Sequence, residues 1–222
     1  MRISTTQCSH FQHPEFVLEA DESQVPDTYL QEIATTVEGM VAGGSFFQPD
    51  QTFQVGWMMT LVQSLDASHL TLAEPDMQSF PIKWVSGLTN TLRQLMLQLF
   101  MLDSVALRQQ MNPPSIRDSL IACTRYNERS FLMNRSRGDG GTVSGWFVGC
   151  LNSEHDHDDP ANLTCLSVYE AYLRQQGIQA FASFPVGSMI VMDHNDGVRV
   201  FKDHEELDIP PDSFLAQWFK RH

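Results

Sequence analysis

The chain is poor in positive charge. Its 222 residues carry 14 Lys and Arg against 27 Asp and Glu, for a formal net charge of -13. A protein that holds nucleic acid needs a basic footprint to replace phosphate counterions, so no nucleic-acid partner is expected. Cysteine is scarce too: Cys8, Cys123, Cys150 and Cys165. No two stand at CxxC spacing, so the four are expected to be reduced thiols of a cytoplasmic protein. Long hydrophobic runs are missing. The most apolar stretch, Leu92 to Leu102, is interrupted by Arg93, Gln94 and Gln98. It is too short and too polar to span a bilayer, and no membrane partner is expected. Met1 to Gln7 holds no apolar segment of the kind that opens a signal peptide. Also lacking are the phosphate-cradling glycine patterns of P-loops and dinucleotide folds and the elbow of a nucleophilic serine. No Cys–His catalytic pair can be inferred from spacing. The expectation is a chain with no catalytic residues, not an enzyme.

What is present is a real core. Apolar residues make up 42% of the chain and charged ones 18%, with 14 Phe and 4 Trp, a globular composition. The length suits one large domain or two of about 100 residues each. The acid is uneven. Residues 1–112 hold four basic and twelve acidic residues, net -8, and residues 113–222 hold ten and fifteen, net -5. An acidic surface aids solubility, and it also complements a basic protein partner.

Phe16-Val17-Leu18 reads as a strand. Pro26 suits a first helical turn, and Leu30, Ile33, Val37 and Val41 then share one face until Gly43-Gly44 stops the helix. From Thr52 the period becomes two: Phe53, Val55, Trp57, Met59 and Leu61 alternate with other residues as one half-buried strand. His69 to Ala73 is its expected partner. A long apolar helix is expected from Trp84 to Gln110, wide enough to link two domains or to form a homodimer contact. Asn112-Pro113-Pro114 is the expected boundary, giving an N-terminal domain 1–112 and a C-terminal domain 113–222. Beyond it come strands at Ser130 to Arg135 and Val143 to Leu151, an acidic loop, a helix from Leu163 to Gln176, and a hairpin of Met189–Met192 with Val198–Phe201. A short aromatic tail carries Phe214, Trp218 and Phe219. The expected class is α+β: two mixed units, each a small, largely antiparallel sheet packed with helices.

Glu154-His155-Asp156-His157-Asp158-Asp159 has the sharpest chemistry. Histidine and carboxylate suit zinc or another transition metal. A His-x-His pair in a loop supplies only two nitrogens, however, and no second cluster is evident. The expectation is therefore a solvated acidic loop, with no metal and no cofactor. A hydrolase using His155 and His157 is the enzyme alternative. Arg125, Arg129, Arg135 and Arg137 precede the glycine-rich Arg137-Gly138-Asp139-Gly140-Gly141. They read as ion pairing around a turn. Glu74-Pro75-Asp76 reads as a loop anchor. A strand Trp such as Trp146 is ordinarily core, but an exposed one is a binding anchor.

One ordered set of motifs adds to this. A strand ends at Arg135, followed by the glycine-rich loop, Ser144-Gly145-Trp146, the loop ending Asp159-Pro160-Ala161-Asn162, Val168-Tyr169, and the Pro185-x-Gly187-Ser188 turn. Cys123 to Met192 thereby resembles a domain of bacterial toxin-immunity proteins (immunity protein family thirty-three, formerly a domain of unknown function). Upstream, Glu15-Phe16, Gly56-Trp57, Glu74-Pro75-Asp76 and Pro81-Ile82-x-Trp84 resemble the segment that precedes this domain in longer members. The resemblance implies a protein that binds and neutralises a cognate toxin, such as a type VI secretion nuclease effector, and no catalytic residues. A secretion adaptor for the toxin is a further alternative. His155 and His157 stand where members are mainly acidic, and Met192-Asp193 stands where an aromatic or basic residue is common. The residues expected to meet a basic toxin are Glu154, Asp156, Asp158 and Asp159, with Trp146 and Tyr126.

Overall fold

The computed structural model of the chain describes residues 1–138 and 140–221. Asp139 of the glycine-rich loop lies outside the described residues. The chain divides into two compact units, Met1–Leu95 and Met96–His222. The class is α+β, with two mixed sheets and five α-helices among the described residues.

The first unit contains β1 (Arg2–Ser4), β2 (Glu15–Glu19), α1 (Asp27–Ala42), β3 (Thr52–Val55), β4 (Met58–Ser64), β5 (His69–Pro75) and β6 (Trp84–Ser86). Its sheet runs β1-β2-β5-β4-β3, with β6 also on β5. Only β2–β5 is parallel among these pairs. In α1, Leu30, Ile33, Val37 and Val41 are buried on the expected face, and Gly43 caps the helix. The alternation from Thr52 is two strands, not one. Gly56 has φ +57, and Val55 pairs with Met58 across a two-residue turn. The turn also shifts the phase. Phe53 and Val55 are buried before it and Trp57 within it, but Met58, Thr60 and Val62 after it. A period-two pattern continues through such a turn with its inward face moved by one residue.

The long linking helix is corrected. Trp84 to Ser86 form β6, and α2 covers only Thr89–Asp103. Gly87, at φ +93, turns the chain between them. Buried Glu74 then accepts hydrogen bonds from the first-turn N–H groups of Asn90 (3.0 Å) and Thr91 (2.6 Å), which fixes where α2 begins. At the far end Ala106 has φ +57, and Arg108–Gln110 form a separate 3-10 turn. The burial is also not that of an all-round apolar rod. Thr91, Gln94 and Gln98 are buried, whereas Leu95, Met96, Leu97, Leu99 and Phe100 are only half-buried.

The second unit contains β7 (Ser119–Cys123), β8 (Phe131–Arg135), β9 (Val143–Cys150), β10 (Leu163–Ser167), α3 (Val168–Arg174), α4 (Ile178–Phe181), β11 (Ser188–Asp193), β12 (Gly197–Lys202), β13 (Glu205–Glu206) and α5 (Phe214–Phe219). Its sheet runs β10-β7-β9-β8-β11-β12-β13, with β7–β9 parallel. The expected helix from Leu163 begins late. Leu163 to Ser167 pair with β7 as β10. Ser167 then opens α3 with a capping box, its hydroxyl accepting from the Glu170 N–H while the Glu170 carboxylate accepts from the Ser167 N–H.

The units part inside α2, ahead of Asn112-Pro113-Pro114. The side chain of Gln98 donates to Gln179 O (3.0 Å) and accepts from the Ser183 hydroxyl (2.5 Å). Asn112 N–H donates to Ser183 O (2.9 Å). These bonds hold Gln98 and Asn112 in the second unit. Among the described residues no helix is long and apolar enough to cross a membrane.

Candidate metal centre and acidic loop

Parallel pairing of β7 and β9 sets Ala122 opposite Val148. It therefore brings the last residues of both strands, Cys123 and Cys150, to the same end of the sheet. Both thiols are buried and neither is in a disulfide. The segment after β9 then loops back over them. His157 Nε2 comes to 3.6 Å from Cys150 Sγ, and the His155 and His157 rings lie 5.3 Å apart. The donor atoms of Cys123, Cys150, His155 and His157 all lie within 4.8 Å of one another.

The surroundings are shaped to this cluster. At Gly149 a Cβ would sit 2.9 Å from His157 Cε1 and 2.8 Å from Phe147 Cε1, so glycine makes room for the imidazole. The Phe147 ring meets His157 edge-on at 5.5 Å. Cys123 Sγ accepts the Cys150 N–H at 3.2 Å. Burial pushes the Cys123 thiol up, while backbone N–H groups of Cys150 and Arg125 pull it back. Such N–H donors favour the thiolate, the form that binds a metal. His155 Nε2 is buried and meets no hydrogen-bond partner among the described residues.

No family model matches the chain, and no curated protein or solved structure matches it. The resemblance to immunity proteins therefore rests on the residues quoted above.

The acidic loop itself is held by its own side chains. The Asn152 carbonyl group Oδ1 accepts from Glu154 N–H, Asp156 Oδ1 from Asp158 N–H, and Asp159 Oδ1 from Ala161 N–H. Asn162 Nδ2 donates to Asp156 O. Glu154, Asp156, Asp158 and Asp159 are all exposed.

The two aromatic residues expected on the partner face lie elsewhere. Trp146 is 2% exposed and its Nε1 donates to Ala182 O (2.9 Å). Tyr126 is 3% exposed, with burial raising its phenol pKa. Both side chains belong to the interior of the second unit and offer no surface to a partner. The arginines do not act as one group. Arg125 pairs with Glu128 at 2.5 Å, while Arg135 is buried. A shallow cavity of about 360 Å³ lies between Ile121, Val143 and Arg137 and shares no residue with the Cys/His cluster. In the Glu74-Pro75-Asp76 anchor, Glu74 caps α2 and Asp76 accepts from the Ser79 hydroxyl.

The sequence singled out His155 and His157 but read them as part of a solvated acidic loop, and it gave no part to Cys123 or Cys150. Cys150 stands five residues before His155, a visible signal. Cys123 stands 27 residues before Cys150, and only the parallel strand pairing joins them.

Proposed function

We propose that this protein is a toxin-neutralising immunity protein, binding a basic partner of the nuclease type with no chemistry of its own. The observation that carries the reading is the loop after β9. It presents four exposed carboxylates, Glu154, Asp156, Asp158 and Asp159, on a backbone fixed by side-chain turns. A pre-ordered acidic surface loses little entropy on docking and draws a basic partner by long-range attraction. The order of motifs from Cys123 to Met192, which resembles that of immunity-protein domains, supports reading this chain as the immunity partner of a toxin.

Co-expression with the product of a toxin-like reading frame found next to its gene, in a susceptible bacterial host, tests this reading. The expected outcome is rescue of growth and a co-purifying complex that weakens as salt rises. A complex without rescue would favour the secretion-adaptor reading. No rescue and no complex would end the immunity reading.

A further inference from the structure

We infer that Cys123, Cys150, His155 and His157 bind one zinc ion as a closed structural site. The inference goes beyond the proposed function, because it concerns what holds the acidic loop in place and needs no toxin.

The argument starts from geometry. Zinc in structural sites is tetrahedral, with Zn–S of about 2.3 Å and Zn–N of about 2.0–2.1 Å. Those lengths place a sulfur and a nitrogen ligand about 3.6 Å apart. Cys150 Sγ and His157 Nε2 lie 3.6 Å apart. No pair among the four donors exceeds 4.8 Å, so closing the tetrahedron takes side-chain rotations and no change of strand pairing.

Chemistry agrees with geometry. Two thiolates and two neutral imidazoles form a borderline-soft set that suits zinc and leaves a neutral centre, which can be buried without an uncompensated charge. Backbone N–H groups already point at Cys123 Sγ. In a metal site such donors stabilise the bound thiolate. The buried His155 Nε2 with no partner among the described residues is explained if its lone pair is a ligand. An unpaired buried nitrogen otherwise has a desolvation cost with no return.

Four protein ligands leave no open position for water or substrate, so the site is structural and does not support the hydrolase alternative. Its place in the fold gives its role. Two ligands end adjacent strands, and two sit in the loop that carries the exposed acids. One ion thus pins that loop to the sheet at both histidines and fixes the positions of Asp156 and Asp158, which flank His157.

The test begins with the full chain, purified under reducing conditions without a chelator or a histidine tag, from cells given zinc. Elemental analysis should find about one zinc per chain. Cobalt titration should give the visible bands of a tetrahedral site, with thiolate charge-transfer absorption in the near ultraviolet. His155→Gln and His157→Gln lie in a loop, so they should leave the fold intact by circular dichroism while weakening zinc binding at least tenfold. Cys150→Ser should remove the charge-transfer intensity it contributes. Less than about one-tenth zinc per chain together with a featureless cobalt titration would overturn the inference. So would a Cys123–Cys150 disulfide that persists in the reduced preparation, or zinc retained unchanged by both histidine variants.

Discussion

The Arg135 guanidinium lies over the Trp146 indole, 5.4 Å from the ring centroid. It is buried, and burial lowers its pKa to about 10, with Asp118 acting the other way. Its donors are used by carbonyls: Nε by Ser144 O (3.2 Å), and Nη1 by Phe184 O (2.5 Å) and Asn112 O. One side chain thus gathers β8, β9, the segment after α4 and the Asn112 loop. Arg135→Met keeps much of the volume but strands these carbonyls. It should lower stability by about 3 kcal/mol or more. Urea unfolding measures this, and a loss under about 1 kcal/mol would show that the network is dispensable.

Gly145 is required by the backbone. It has φ +77, and a Cβ there would lie 2.2 Å from Ser136 O. The same strand crossing carries the Ser136 N–H to Gly145 O bond at 3.0 Å. Gly145→Ala combines an unfavourable left-handed conformation with a clash against backbone, and should cost about 3 kcal/mol or more. A thermal melt like that of the unaltered protein would mean that the crossing opens at little cost.

Glu15 makes the first unit sensitive to acid. Burial by itself raises its pKa. Hydrogen bonds from the Thr5 hydroxyl and the Ser9 and Cys8 N–H groups outweigh that and lower it from 4.5 to about 2. The folded state therefore holds the proton less tightly than the unfolded chain. The stabilisation is fully present above pH 4.5 and is lost as pH falls through 2. With solvent screening it amounts to about 1–2 kcal/mol. In unfolding measured against pH, Glu15→Gln should remove that part of the slope. Parallel profiles for the two proteins would refute it.

The acidic loop should act on association rate. Asp156→Asn, Asp158→Asn and Asp159→Asn together keep the Oδ1 acceptors of the turns while removing three charges. Rim charges mostly govern on-rate. Binding to the proposed toxin partner should slow several-fold at low salt, and its salt dependence should flatten, while circular dichroism is unchanged. Stopped-flow mixing at low and high salt reads both. An unchanged rate and salt slope would remove this loop from the contact.

Strand and helix identity was legible wherever one period ran without a turn. The α1 stripe of Leu30, Ile33, Val37 and Val41 is such a case, as is the β11–β12 hairpin that closes with Asp193 opposite Gly197. Legibility failed where local pattern and pairing competed. A two-residue turn preserved the alternation at Gly56-Trp57 while changing its inward phase. The residues of β10 sit in a helical-looking run, but their backbone groups are taken by β7. Trp84 opens β6 and pairs with Pro75 of β5, which apolar content cannot reveal.

By itself the sequence determined the acidic charge, the α+β class and the His-x-His loop, because composition and short-range periodicity depend only on neighbours along the chain. The tertiary structure decided which residues share a site. It moved Trp146 and Tyr126 inside, left the loop carboxylates outside, and brought Cys123 beside Cys150 through parallel strands whose register no local spacing encodes. Side-chain chemistry is written in the chain, but the distance between two donors far apart in sequence is set only when the sheet closes between them.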